Sequence, residues 1–121
     1  MANDEMAGYR DLVVWQRAID LVALAYELMK LFLKYELYGM CDQIRRTSVS
    51  VPANIAEGQA RRTKAEFTHY LGIARGSLAE LDTLFEVAHK LTYVTKEQRD
   101  KVHNEAVLIR KMIQGLLRSL K

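Results

Sequence analysis

Apolar residues recur along this chain at alternating intervals of three and four positions, in four separate blocks. That spacing puts side chains on one face of an α-helix, whose period is about 3.6 residues. The first block predicts a helix from about Asp11 to Leu33. Leu12, Trp15, Ile19, Val22, Tyr26, Met29 and Leu33 form one seam, and Val14, Ala18, Leu21, Ala25, Leu28 and Phe32 form a second beside it. Asp11 is placed as an N-cap or a first-turn acid. The second block spans about Leu37 to Ala60, with Leu37, Cys41, Ile44, Ser48, Val51 and Ile55 on its seam. The third runs from about Lys64 to Leu91. One of its seams is Phe67, Leu71, Ala74, Leu78, Leu81, Phe85 and Ala88; the other is Tyr70, Ile73, Ser77, Leu84, Val87 and Leu91. In the fourth, Val102, Ala106, Ile109, Ile113, Leu116 and Leu120 share a face, and Arg118 and Lys121 suit a helix C-terminus.

Local signals mark where these helices start and stop. Thr63-x-x-Glu66 and Thr95-x-x-Gln98 are capping-box patterns for the third and fourth helices. Gly58 is expected to end the second helix in a left-handed conformation, ahead of a short Arg61-Arg62 connector. Pro52, the only proline, falls inside the second helical pattern. An interior proline removes a hydrogen bond and costs about 3 kcal/mol or more, so a kink and a freed carbonyl at Ser48 are expected there. Ser48 and Ser50 lie within a turn of it, where hydroxyls re-bond helix carbonyls. No stretch alternates with period two, and the connections are short. The expected fold is all-α: an up-down-up-down antiparallel four-helix bundle with a Pro-kinked second helix. Residues 9–121 form the bundle and residues 1–8 a flexible N-terminal arm. The first and third helices carry more apolar surface than a monomeric bundle must bury, which predicts a homo-oligomer. A well-buried central helix pair is the other reading of the same surplus.

Composition narrows the picture modestly. The 121 residues suffice for one domain with its own core, and half of them are hydrophobic. A net charge of +3 permits an anionic partner without demanding one. The single Cys41 lies on an apolar stripe and reads as a buried structural thiol in a reducing compartment. Residues 1–7 lack the basic and apolar regions of a secretory signal, and acidic residues interrupt every apolar run short of the roughly 18 needed for a membrane span. A soluble, cytoplasmic protein is expected.

Catalytic patterns are sparse. His69, His89 and His103 lack metal-ligand spacing, so no metal site and no cofactor are expected. Ser48 and Ser50 have no general base near them in sequence. Glu57, Glu66, Glu80 and Glu86 read as ordinary helix-surface acids, and Gly72-x-x-x-Gly76 reads as a packing device. The chain is expected not to be an enzyme. The stronger signal is basic. Arg45, Arg46, Arg61, Arg62 and Lys64 bracket the Pro52 segment, and Arg110, Lys111, Arg118 and Lys121 lie on the last helix. Guanidinium groups bind phosphates bidentately, the sequence-independent part of nucleic-acid affinity. Asp42 is equally placed to pair with Arg45 or Arg46 at helical spacing, and Arg61-Arg62 also reads as a solvated linker. The sequence leaves both readings open.

Five motifs occur in a characteristic order: Tyr9-Arg10-Asp11-Leu12-Val13-Val14-Trp15-Gln16, Glu36-Leu37-Tyr38-Gly39-Met40, Gln43-Ile44-Arg45-Arg46, Ser50-Val51-Pro52-Ala53-Asn54-Ile55-Ala56-Glu57-Gly58, and Ile73-Ala74-Arg75-Gly76-Ser77-Leu78-Ala79-Glu80-Leu81. Together they resemble the four-helix bundle proteins encoded within intervening sequences of bacterial 23S ribosomal RNA genes, also labelled the S23 ribosomal protein family. One departure is Leu33, where the family often has proline after Phe32. The resemblance implies a homopentameric barrel, similar in fold to the accessory variability determinant proteins of diversity-generating retroelements. Those are basic pentamers that bind nucleic acid and a reverse transcriptase. By matching position, it implicates Arg45, Arg46 and Arg75 in phosphate contact or interface pairing. It also implicates Asn54 and Glu57, alongside Ser48 and Pro52, in a polar network at the kink. The resulting expectation is a non-enzymatic RNA- or DNA-binding oligomer. A protein-binding adaptor, for example for a reverse transcriptase, is the alternative.

Overall fold

A computed structural model describes residues 8–121. Four helices account for most of it: α1 (Val13–Met29), α2 (Met40–Ala60), α3 (Lys64–Lys90) and α4 (Lys96–Ser119). Short 3-10 turns, Gly8–Asp11 and Lys34–Glu36, precede α1 and α2. Each helix packs on its neighbour in the chain and α1 packs on α4, which closes an antiparallel four-helix bundle. The core is built from one seam per helix. Val14, Ala18, Leu21, Ala25 and Leu28 of α1 meet Ile44, Val51 and Ile55 of α2, with Leu71, Leu78, Leu81 and Phe85 of α3 and Val102, Ile109 and Ile113 of α4. Full burial of a large apolar side chain contributes about 1.5–3 kcal/mol, so these seams drive the assembly. No helix among the described residues is long and apolar enough to cross a membrane.

The structure differs from expectation at several helix ends. Residues 1–7 of the expected arm lie outside the described residues, whereas Gly8 opens a turn packed against α2. Asp11 sits in that turn and does not cap α1; the N-cap is Leu12, which makes no side-chain capping bond. Helix α1 ends at Met29 and not at Leu33, because its last turn tightens. Leu31 N–H donates to Leu28 O and Phe32 N–H to Met29 O, each to the third residue back. Phe32 still reaches the core, edge-on to Phe85 and beside Tyr93. Of the two α1 seams, only the one from Val14 to Phe32 is fully covered. Ile19 and Tyr26 of the other are each 41% exposed.

Gly58 is not a left-handed stop. It stays helical and buried, and α2 continues to Ala60. Its function is proximity: a Cβ there would lie 2.8 Å from Tyr70 Cβ and 3.0 Å from Phe67 Cδ1. The expected Gly-x-x-x-Gly packing device is not used within this chain, since a Cβ at Gly72 or Gly76 would meet nothing within 4 Å. Thr95 and Gln98 form a complete capping box. At Thr63 only half forms. Thr63 Oγ1 accepts from Glu66 N–H, but the Glu66 carboxylate takes the Thr63 hydroxyl and the Arg61 guanidinium instead of the cap's backbone N–H.

The α2–α3 seam is the most extensive in the bundle and contains a polar ladder. Gln43 Nε2 and Thr47 Oγ1 both donate to Glu80 Oε2, at 3.3 and 3.2 Å. One turn on, the Ser50 and Ser77 hydroxyls share a 2.8 Å hydrogen bond, and Asn54 Nδ2 donates to both Ser50 Oγ and Ser50 O. Pro52 is buried inside an unbroken α2 beside these groups. Its ring leaves no N–H for the Ser48 carbonyl, and Ser48 Oγ donates back to Arg45 O. Glu57 is absent from this network and pairs with Arg61 at 2.8 Å.

Candidate functional site

The structure sorts the basic residues into paired and unpaired sets. Asp42 draws in both Arg45 and Arg46, at 3.8 and 3.2 Å, and Arg45 also donates to Leu37 O. Arg61 is held by Glu57 and Glu66, donates to Tyr70 Oη at 2.9 Å and lies over that ring at 5.0 Å. These three arginines are committed to neighbours, largely at the helical spacing that favours such pairs. Tyr26 and Val49 join Arg45, Arg46 and Ser50 around a shallow hollow between α1 and α2.

Arg62, Lys64, Arg75, Arg110, Lys111, Arg118 and Lys121 form no ion pair among the described residues. Sequence explains much of this. Helix α3 has no acid between Glu66 and Glu80, and α4 has none after Glu105. The antiparallel pairing of α3 and α4 then brings part of the set together. Arg75 lines two cavities on this seam. The first, of about 270 Å³, is completed by Leu78, Ala79 and Asp82 of α3 with His103, Ala106, Val107 and Arg110 of α4. The second, of about 390 Å³, is completed by Gln114, Leu117, Arg118 and Lys121. Lys111 is exposed on α4 but lines neither. Arg62 and Lys64 lie at the start of α3, at the bundle end that α4 reaches with Arg118 and Lys121.

Charge changes character along this seam. At the end nearer the α3–α4 connection, Arg99 bonds Glu86 at 2.6 Å and Asp100 at 2.9 Å. Asp100 is held below the usual carboxylate range by its hydrogen bonds from Lys96 and Arg99. Then comes Asp82, whose carboxylate oxygens accept from His103 Nδ1 at 3.2 and 3.0 Å. Beyond that pair, the charged groups lining the two cavities are all cationic. The groove therefore offers guanidinium and ammonium donors to phosphate along one side of the bundle.

The histidines divide similarly. His69 is exposed, and His89 lies within hydrogen-bond reach of Val94 O. His103, which the sequence shows only as a histidine without metal-ligand spacing, is the partner of Asp82; the α3–α4 register brings the two together. No group of three or more His, Cys, Asp or Glu among the described residues could hold a metal ion. Cys41 is buried, and desolvation pushes its thiol pKa up, which keeps it protonated. Sequence reasoning also passed over Glu36 and Tyr93. Tyr93 Oη donates to Glu36 Oε2 at 2.6 Å, and Tyr35 Oη is 2.8 Å from it, tying the two connections at that end together.

Comparison with known proteins gives the chain a family context. The family model described as 23S rRNA-intervening sequence protein matches residues 10–115, nearly the whole bundle. A similar solved structure is that of a protein of unknown function from the S23 ribosomal protein family of Bacteroides thetaiotaomicron VPI-5482. It is 25% identical, with a TM-score of 0.80, over 88% of this chain and 96% of that one. No match was found among curated proteins.

Proposed function

The chain belongs to the family of 23S rRNA-intervening sequence proteins, and from that premise we propose that it is a non-enzymatic protein that binds RNA through phosphate contacts in the α3–α4 groove. One observation carries the reading. Arg75, Arg110, Arg118 and Lys121 line adjoining cavities without an ion-pair partner among the described residues, whereas Arg45 and Arg46 share Asp42 and Arg61 pairs with Glu57 and Glu66. A cation already committed to a carboxylate must give up that contact to take a phosphate; an uncommitted one does not. Self-association into a ring, a homopentamer by the family resemblance, would repeat the groove and multiply its avidity. The exposed apolar residues Val13, Ile19 and Tyr26 on α1 supply a surface for it.

The test is a filter-binding titration of structured RNA at several salt concentrations. Affinity should fall steeply with salt, and the double variant Arg75→Ala/Arg110→Ala should reduce the logarithmic slope by about one to two units. Arg46→Ala should change it little. Binding that is undetectable, or insensitive to salt, overturns the proposal. A second reading, a protein-binding adaptor, draws on the exposed Tyr26 and Val49 beside Arg45 and Arg46. A protein partner, such as a reverse transcriptase, retained after nuclease treatment would favour it.

A further inference from the structure

One group in the α3–α4 groove has a charge that is not fixed. The titratable and charged side chains lining the cavity of about 270 Å³ are Arg75 and Arg110, the Asp82 carboxylate and the His103 imidazole. The charges around them are committed elsewhere. One turn back on α4, Arg99 bonds Glu86 of α3 and Asp100, and Lys96 also pairs with Asp100. Towards α1, Glu105 pairs with Arg17 at 3.6 Å. Of these residue types, only histidine ordinarily changes its charge between about pH 5 and 8. Asp82 also decides which nitrogen of His103 can meet a ligand. A carboxylate only accepts, so the ring nitrogen 3.2 and 3.0 Å from its two oxygens, Nδ1, carries a proton. In the neutral ring Nε2 then has a lone pair and no hydrogen, and it repels a phosphate oxygen. Protonation adds an N–H at Nε2 and leaves the Nδ1 contact in place, so the ring becomes a charged donor without giving up its partner. It also raises the net charge lining the cavity from one positive to two. The His103 side chain is 52% exposed, so a phosphate reaches it from solvent.

We infer that His103 is a further phosphate-binding residue of this groove, active only in its protonated form, so that RNA binding there takes up a proton. The neutral ring leaves phosphate to Arg75 and Arg110, against the opposing charge of Asp82. The protonated ring offsets that carboxylate and adds a donor beside the two guanidinium groups. The sign follows directly. Phosphate favours the protonated ring, so affinity rises as pH falls and declines, as pH rises, to what the arginines alone supply. By linkage, uptake of a single proton limits the slope of log affinity against pH to about one. This inference rests on the reading of the α3–α4 groove as an RNA-binding surface and adds the condition under which that surface binds most tightly.

The experiment measures fluorescence anisotropy with a labelled uridine decamer, whose bases do not titrate in this range, from about pH 8 to 5.5 at constant ionic strength. The unaltered chain should bind about tenfold more tightly at the acid end, the effect of one added charge-assisted hydrogen bond. His103→Gln should abolish that rise while leaving the affinity near pH 8 within about twofold. His69→Gln and His89→Gln, at positions that do not line the cavity, should keep the full pH response. Two results overturn the inference alone: an affinity of the unaltered chain that does not change with pH, or a rise that survives in His103→Gln. His103 would then be only the partner of Asp82, and the groove would still bind backbone charge through its arginines. Absence of binding at every pH, to the decamer and to structured RNA alike, would overturn both this inference and the function it rests on.

Discussion

Gly58 on α2 and Tyr70 on α3 touch backbone to side-chain root: a Cβ on the glycine would stand 2.8 Å from the tyrosine's own. Glycine inside a helix costs about 1 kcal/mol relative to alanine, so an exposed helical glycine gains stability on replacement. Here the sign reverses. Gly58→Ala must push α3 outward or distort α2, and overpacking of this kind costs about 1–3 kcal/mol. Urea unfolding should show a lower midpoint; a higher one would mean the contact is soft. Gly76→Ala, with nothing within 4 Å, is the control and should stabilise by up to about 1 kcal/mol.

The turn after α3 stores strain. Thr92 has φ of 63°, a left-handed conformation that a β-branched residue rarely adopts. The geometry demands it: Thr92 N–H donates to His89 O and Tyr93 N–H to Ala88 O, the paired bonds of a Schellman ending. Glycine is the residue that fits this position without a Cβ penalty. Thr92→Gly is expected to raise stability by about 0.5–1 kcal/mol, since relief of about 1–2 kcal/mol of strain exceeds the added chain entropy. A drop in melting temperature would contradict this.

Tyr93 predicts behaviour in alkali. Its hydroxyl donates to Glu36 and receives Tyr35, and these hydrogen bonds raise its pKa above the ordinary 10. A raised folded-state pKa contributes stability that is complete below the unfolded value and is lost as pH rises past it. Thermal unfolding followed from pH 8 to 11 should therefore show a decline setting in near pH 10. Tyr93→Phe, lacking the titrating hydroxyl, should decline less over that interval. Parallel curves for the two proteins would rule out the contribution of this residue.

Self-association has a direct test on α1. Ile19 and Tyr26 are each 41% exposed on a seam that the bundle leaves uncovered. Light scattering should give a multimeric mass for the unaltered chain. Ile19→Glu should lower that mass without loss of helical signal, because the side chain is not needed in the core. A monomer at micromolar concentration in the unaltered chain would remove the ring from the proposed function.

The helices were legible because burial imposes a three-four rhythm, and every core seam follows it from Val14 to Ile113. Periodicity does not say which of two adjacent seams is covered. On α1 that choice belongs to the neighbours, and they leave Ile19 and Tyr26 in solvent. Helix ends were less legible, since they depend on contacts across the bundle. Gly58 looks like a terminator until Tyr70 is seen beside it, and Glu66 completes a capping box until Arg61 competes for its carboxylate. The groove was half legible. Arg75, Arg110, Arg118 and Lys121 stand out as charges, but Asp82 and His103 are separated by 21 positions. Only the register of α3 against α4 makes them a pair.

The ladder between α2 and α3 fixes the height of one helix against the other. Sliding α3 by a single turn, about 5.4 Å, would separate Glu80 from Gln43 and Thr47 and Ser77 from Ser50 at the same moment. The hydrogen bonds therefore act as a vernier, favouring one setting where an all-apolar seam would accept several. Arg75 and Asp82 ride on that same helix, on the side turned towards α4. What Gln43, Thr47 and Ser50 index is thus the level at which a cation and a carboxylate stand opposite Arg110 and His103, across a bundle whose α2 never touches them.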